Sequence, residues 1–593
     1  MCAIIGFNFP DRDLILKMRQ FVSNRGPDAE GIYIDENMTI FHNRLSIIDP
    51  GKNSNQPMIY NNFIISFNGE IYNYKKLKND LIKLGYRFKT NSDTEVILLL
   101  FDKYGVEAFN KISGIFAISI WDKNKKKLYL IRDRVGVKPL YYFKDTLTNK
   151  FFFSSSIRSL LLNLKEKQIN EQALNYYFNL GRNDNNETIF KHIFKLMPGE
   201  LLILDNNIVK KEKFLKFNLS NNNFSNSKIK KLVSNTIENQ LVSDVPISLS
   251  LSGGVDSNVI YSIMRNNLDI KFNTYSFKFK DYEKFNADFN IAKKNTEFYG
   301  NNFTPIEIGY EDFIENSEKV TEILEEPTAN QCSVLNYCMS KKVTEKVLIT
   351  GDGGDEIFTG YDRYRSIHII QFLQKFNIFK NFNIKSGYVN LDRLFLNNPK
   401  DLFLSFSEQN IYKDVKKYFF NFQEISAKTL ALNHFDKIKL KNNLNSVSLI
   451  DLDTLVPNEY LLRNDKIFMD SGIETRVPFL DVNLIDNLVP MSSFRKFGYK
   501  FNSKNLLKKL FKNDIHSLVN QKWGLQSPLA KWMKEPLQNY IKEILSPQYY
   551  DSSHLLNFDN IQTLIKIHKE KYHNPALLWS MVMLQIFLRK FKL

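Results

Sequence analysis

Apolar positions in the N-terminal third come in short runs broken by polar turns. Residues 38–49 and 62–68 are two such runs, and their composition predicts strands. Residues 112–121 and 127–133 form another pair, with Asp122-Lys123-Asn124 as the turn between them. Residues 94–104 instead carry apolar side chains at helical spacing. Residues 198–207 read as a last hairpin. Strands joined by short turns predict a largely antiparallel sheet.

The pattern changes at residues 218–227, where NLSNNNFSNS reads as a linker. Residues 228–241 then read as an amphipathic helix. Residues 247–251 are a short apolar run ending in Ser252-Gly253-Gly254, and 258–266 are helical by pattern. Residues 346–350 repeat the arrangement, followed by Gly351-Asp352-Gly353-Gly354-Asp355. Strand, loop and helix in that order predict a parallel α/β fold. From Asp362 onward the pattern is mostly helical and rich in aromatics, and it shows no internal repeat. The stretch 375–441 has no assignable role.

Composition narrows this picture. The 593 residues suggest two to four domains at roughly 100–200 residues each. Hydrophobic residues at 43% and charged residues at 24% are ordinary for a soluble globular protein. No apolar run is long enough for a membrane helix, and no signal-peptide pattern opens the chain. Three cysteines, Cys2, Cys332 and Cys338, cannot build a disulfide framework. Together these features predict a cytoplasmic protein. The net charge of +17 comes from scattered lysines, with short clusters such as Lys125-Lys126-Lys127. No basic stripe interleaves with aromatics, so solvated faces are expected and a nucleic-acid partner is not. No His/Cys spacing suggests zinc, and Cys332 and Cys338 read as small buried hydrophobes.

Cys2 follows the initiator Met directly. Removal of Met1 would leave a thiol beside a free α-amine, whose pKa near 8 lets it serve as a base for the neighbouring nucleophile. A cysteine at position two means little alone. It is accompanied by Arg25-Gly26-Pro27-Asp28, His42-Asn43-Arg44-Leu45-Ser46-Ile47-Ile48-Asp49, Gln56-Pro57, Asn68-Gly69-Glu70-Ile71-Tyr72-Asn73, Ser92-Asp93-Thr94-Glu95 and Asp133-Arg134-Val135-Gly136-Val137-Lys138-Pro139-Leu140-Tyr141. Taken singly, Asn68-Gly69 is a turn, Arg44 a surface ion pair and Asp93 a helix cap.

Taken together and in this order, these motifs resemble the class II glutamine amidotransferases. The resemblance implies an N-terminal-nucleophile α/β/β/α sandwich over residues 2–215. It implies that Cys2 forms a glutamyl thioester, and that Asn68 and the Gly69 N–H form the oxyanion hole. Arg44 would hold the glutamine α-carboxylate and Asp93 its α-ammonium, with Glu70 also in the glutamine site. Arg25–Asp28 and Asp133–Tyr141 are expected to be scaffold or interdomain features. Ala3 stands where the family usually has Gly, which matters if the backbone there needs positive φ or close approach.

Ser252-Gly253-Gly254-Val255-Asp256-Ser257 sits between an apolar strand and a helix. Small residues let N–H groups approach an anion there, and the helix N-terminus adds positive potential. No Gly-Lys-Ser/Thr follows, so it is not a Walker A loop. The string resembles the pyrophosphate loop of N-type ATP pyrophosphatases, which include the asparagine synthetases. Thr350-Gly351-Asp352-Gly353-Gly354-Asp355-Glu356, Asp465-Lys466-Ile467-Phe468-Met469, Glu474-Thr475-Arg476-Val477-Pro478-Phe479-Leu480-Asp481 and Gln521-Lys522-Trp523-Gly524-Leu525 extend the resemblance over residues 228–593.

By that resemblance Leu251, Ser252, Gly253, Gly254, Asp256, Ser257, Thr350 and Gly351 would contact ATP, and Asp256 and Asp355 would bind Mg²⁺. Asp352 would lie beside the reacting centre, and Lys522 would stabilise charge on the phosphates. Thr350, Leu525 and Asn301-Asn302 depart from the family pattern. The combined resemblance is to glutamine-hydrolysing asparagine synthetases. It implies glutamine, ATP and aspartate as substrates, β-aspartyl-AMP as intermediate, and ammonia passed through an internal tunnel. Alternatives are a relative that amidates another carboxylate, such as a sugar acid, and a non-catalytic nucleotide-binding homologue. The sequence leaves the oligomeric state open, a homodimer being one assembly it allows.

Overall fold

The computed structural model describes residues 2–220, 223–267, 271–374, 415–420, 425, 443–519, 527–571 and 574–593. Strict alternation along the N-terminal strands gives each sheet two apolar faces. In Gly114–Asp122, Phe116, Ile118 and Ile120 face one core while Ala117 and Trp121 face another. In Lys127–Arg132, Tyr129 and Ile131 take the first side, Leu128 and Leu130 the second. A sheet apolar on both faces must be covered on both.

Two six-stranded antiparallel sheets meet this demand. One runs Ile193–Lys195, Tyr141–Lys144, Phe151–Ser154, Ala3–Phe7, Thr39–Arg44, Ala29–Ile34. The other runs Ile208–Lys213, Glu200–Asp205, Lys127–Arg132, Gly114–Asp122, Phe63–Ile71, Met58–Tyr60. Ile4, Ile40, Trp121, Leu130, Phe153 and Leu202 pack between them. Helices Tyr74–Lys83 and Asp93–Tyr104 cover the second sheet. Helices Arg12–Met18 and Glu171–Leu180 cover the first. This is an α/β/β/α sandwich.

After helix Asn226–Asn239 comes a five-stranded parallel sheet in the order Asn302–Ile308, Asn273–Phe279, Ile247–Ser250, Val347–Ile349, Glu474–Arg476. The chain starts in the middle strand, builds outward on one side, then crosses to the other. The crevice between Ile247–Ser250 and Val347–Ile349 is therefore the switch point, where α/β folds bind ligands. The described C-terminal part is mainly helical and ends in Pro575–Phe591. Among the described residues no helix is long and apolar enough to cross a membrane. Apart from residues 415–420 and 425, the stretch 375–441 lies outside the described residues.

Candidate active sites in the two halves

Cys2 is buried at the start of strand Ala3–Phe7. Its backbone N–H donates to Asn68 Oδ1 at 3.1 Å. That bond fixes the amide's orientation, because only oxygen can accept it. Asn68 Nδ2 is left buried and has no hydrogen-bond partner among the described residues. A buried unused donor beside a nucleophile is what an oxyanion hole requires. Gly69 follows at φ 152°, and a Cβ there would collide with the Ile115 carbonyl and lie 2.7 Å from Phe116 Cα. Only glycine lets this strand lie so close to its neighbour. Ala3 pairs with Asn43 in an extended strand and has no positive φ, so the missing glycine costs the backbone nothing.

Arg44 is 4% exposed. Its Nη1 donates to Gly51 O and Asn55 Oδ1, and its Nη2 to Ile48 O and Asp49 O, at 2.6–3.1 Å. Both terminal nitrogens thus hold the loop over residues 48–55, and only Nε remains for a ligand. Asp93 opens helix Asp93–Tyr104, where Ser92 caps Thr94 N–H at 3.1 Å, and accepts from Ile71 N–H at 3.0 Å. Burial pushes its pKa up to about 6. Burial, with Glu474 and Asp93 nearby, holds the Glu70 carboxyl well above the usual range, and Arg476 opposes them. Burial also raises the Cys2 thiol, against the N-terminal amine and Arg44. Gln56 braces the site by accepting from Phe67 N–H at 2.6 Å and donating to Thr94 Oγ1 at 3.1 Å.

The remaining N-terminal motifs are structural. Asp133 collects N–H groups from Phe116, Val135, Gly136, Val137 and Lys138 at 2.7–3.2 Å, which shapes the following turn. Arg25 Nη1 meets Asp465 at 2.8 Å, and Lys138 Nζ lies 3.6 Å from the same carboxylate. Asp28 accepts from Ser46 N–H and Lys346 Nζ, both at 2.7 Å.

In the second half, Leu251 N–H donates to Tyr275 O at 2.9 Å and closes the strand. The loop after it is tied to itself. Ser257 Oγ accepts from Ser252 N–H at 3.1 Å, and Asn258 Nδ2 bonds both Ser252 O and Gly254 O at 2.8 Å. Gly253 O accepts from Val519 N–H at 3.1 Å. Helix Val255–Asn267 starts here and aims its positive end at the loop. Gly351 approaches so closely that a Cβ would lie 3.2 Å from Asp256 Cβ and 3.3 Å from Ser257 N. The two predicted loops therefore form one site. Asp352 accepts from Thr350 Oγ1 at 2.6 Å and Asn464 Nδ2 at 2.7 Å, so threonine supplies the hydroxyl at position 350. Asn301 donates to Tyr261 OH at 3.0 Å, as a packing contact.

Asp256 and Asp355 converge on one cation, Lys504 Nζ, which pairs with Asp256 and lies 2.5 Å from Asp355 Oδ1. Two carboxylates beside a phosphate-type loop suit Mg²⁺, which takes one or two carboxylates together with phosphate oxygens. Among the described residues no cluster of three or more His, Cys, Asp or Glu is gathered for a metal. Phosphate oxygens and water would have to complete such a shell. Lys522 lies outside the described residues.

Sequence reasoning missed Lys504, Asn464 and the reach of Arg476 toward Glu70. Lys504 is one lysine among several around residues 500–512 and gave no local signal. Asn464 precedes a motif already noticed, and Arg476 lies within one. Cys338 is only half-buried and donates weakly to Asp312 Oδ1 at 3.5 Å, unlike buried Cys332.

Residues 1–215 match the glutamine amidotransferase domain model, and residues 228–589 match the asparagine synthase model. The chain belongs to the asparagine synthase family. It is 28% identical to asparagine synthetase [glutamine-hydrolyzing] 1 of Bacillus subtilis over 99% of this chain and 96% of that protein. It is 32% identical to a putative asparagine synthetase [glutamine-hydrolyzing] 2 of Methanocaldococcus jannaschii, over 63% of this chain and 78% of that one. Amidase chry2 of Gibberella zeae is 26% identical over 88% of this chain and 86% of its own length. As a member of the asparagine synthase family, this chain is a carbon–nitrogen ligase that makes amides with nitrogen from glutamine.

Proposed function

We propose that the chain makes L-asparagine from L-aspartate, L-glutamine and ATP, releasing L-glutamate, AMP and pyrophosphate. Cys2 sulfur attacks the glutamine carboxamide carbon, and the C–N bond breaks to release ammonia. Water then hydrolyses the thioester, giving glutamate and restoring the thiol. Asn68 Nδ2 and the Gly69 N–H meet the oxyanion that forms at each addition. After removal of Met1, the Cys2 amine is the base. Arg44 shapes the pocket through the loop it holds and offers Nε to the α-carboxylate. Asp93 and Glu70 receive the α-ammonium.

In the second half, a β-carboxylate oxygen of aspartate attacks the α-phosphorus of ATP, and pyrophosphate leaves. Ammonia attacks the acyl carbon, and AMP leaves. A free carboxylate has no such leaving group, which is why ATP is needed. Residues 252–257 cradle the phosphates, and Asp256 and Asp355 would hold Mg²⁺, whose charge would offset that of the pyrophosphate. Asp352, held by Thr350 and Asn464, takes the proton that the attacking ammonia gives up. Lys522 is assigned to the phosphates by resemblance alone. Ammonia travels inside the protein, because protonation in bulk water would remove its nucleophilic lone pair.

The observation that carries this reading is the pairing of an unfilled donor at Cys2 with a two-carboxylate phosphate loop in one chain. The test is pyrophosphate release with glutamine, ATP and Mg²⁺. Aspartate is expected to be required. Release that ignores aspartate but responds to another carboxylate, such as a sugar acid, replaces aspartate as the acceptor.

A further inference from the structure

Arg476 is the last residue of strand Glu474–Arg476, at the edge of the parallel sheet, and is fully buried. Its backbone carbonyl accepts from Thr350 N–H at 3.0 Å, which ties it to the acidic loop. Its side chain turns the other way, into the N-terminal half. Nε donates to Glu474 Oε1 at 2.6 Å, and Nη1 donates to the Gln240 and Val242 carbonyls, each at 2.7 Å. Nη2 has no hydrogen-bond partner among the described residues and lies 3.9 Å from Glu70 Oε2.

The geometry separates anchoring from holding. Three bonds through Nε and Nη1 fix the guanidinium plane, so the charge cannot drift. Nη2 is then presented to Glu70 at ion-pair distance without saturating that carboxylate. Glu70 lies two residues beyond Asn68, and its surroundings are otherwise hostile to its charge. Glu474 and Asp93 are neighbouring carboxylates, the Tyr72 hydroxyl is buried close by, and the Arg476 guanidinium opposes them. A charge buried among like charges stays in place only with a well-oriented partner.

We propose that Arg476, supplied by the synthetase sheet, is a positioning residue for the glutamine site: it holds the Glu70 carboxylate ready for the substrate's α-ammonium. The proposal rests on the reading of Cys2, Glu70 and Asp93 as a glutamine site. It makes that site incomplete without the other half of the chain.

The test is steady-state glutamine hydrolysis by Arg476→Gln, by Arg476→Gln/Glu474→Gln and by Arg476→Lys, alongside ammonia-dependent pyrophosphate release. The double variant avoids stranding Glu474 without its partner, so it is the variant to compare with wild type. Its KM for glutamine is expected to rise at least about tenfold, with kcat for hydrolysis within about threefold, as expected when a buried charge pair loses one member. In Arg476→Gln, which keeps Glu474, the acid limb of kcat/KM is expected to move to higher pH, because Glu70 loses the cation that favours its charged form while its neighbouring carboxylates remain. Arg476→Lys is expected to recover part of the KM. Ammonia-dependent release is expected to persist in all three. An unchanged glutamine KM in the double variant, or an unchanged acid limb in Arg476→Gln, overturns the proposal. So does a matching fall in ammonia-dependent release, which marks a merely structural residue. Wild-type protein that hydrolyses no glutamine sinks the glutamine reading itself, and the proposal with it.

Discussion

The two sites are prepared in opposite ways. Around Cys2 the polar groups are locked and one donor, Asn68 Nδ2, has no partner among the described residues. Around residues 252–257 the charges already satisfy each other, with Lys504 between Asp256 and Asp355. On the proposed function, the first site would meet a transition state with a donor already aimed. On the same reading, phosphates and Mg²⁺ reaching the second would meet carboxylates that Lys504 already holds. Rigid preorganisation suits a small substrate with a fixed shape. An exchangeable pair suits a polyanion that arrives with its own counter-ion.

The strongest way to break this comparison is Cys2→Ala. Glutamine-dependent synthesis is expected to fall by at least about a thousandfold, since the nucleophile acts as part of a unit. Ammonia-dependent synthesis should survive, and equal loss of both would contradict two separate sites. Next is Asn68→Ala, expected to lower kcat for glutamine hydrolysis roughly 10²–10³-fold, the cost of one oxyanion donor. An unchanged kcat would show that the unfilled donor is incidental. Lys504→Met sharpens the other side. It is expected to lower ammonia- and glutamine-dependent pyrophosphate release alike by about 10²-fold, as for a lost charge clamp on a phosphoryl group, while glutamine hydrolysis continues.

Smaller effects test detail. With the Asp93 pKa raised to about 6, kcat/KM for glutamine should fall as pH drops through that value. A carboxylic acid cannot pair with the substrate ammonium, so activity is retained above the pKa and lost below it. Asp93→Asn should flatten that limb in a pH–rate profile. Thr350→Val removes one hydrogen bond to Asp352, worth about 1 kcal/mol, and should slow ammonia-dependent synthesis severalfold, with Thr350→Ser near wild type.

Much of this was legible in the sequence, for local reasons. Apolar runs at residues 112–121 and 127–133, separated by a polar turn, placed two central strands, and the structure gives Gly114–Asp122 and Lys127–Arg132. Helical spacing at residues 94–104 placed Asp93–Tyr104. The small residues after 247–251 marked a strand–loop–helix turn, and the structure gives Ile247–Ser250 followed by Val255–Asn267. What stayed hidden depends on pairings between distant segments. Lys504 meets Asp256 across 248 positions, and no periodicity carries such a contact. Arg44 shows the other limit. Its residue type suited a carboxylate fork, yet two of its nitrogens are committed to the loop over residues 48–55, which only the folded chain reveals.

One of the helices that cover the first sheet, Glu171–Leu180, is itself packed on the end of the chain. Tyr177, within Glu171–Leu180, donates to the Ser580 carbonyl at 2.9 Å, and Phe190 packs against Phe587 and Phe591. These residues share one apolar core with the outer face of that sheet. The two chemistries are therefore not separable cassettes. An exchange of N-terminal halves between relatives has to carry Pro575–Phe591, or a matching surface, along with it. A recombination joint between residues 215 and 228 spares the backbone but divides the core, so such hybrids are viable only between parents whose last helices are alike.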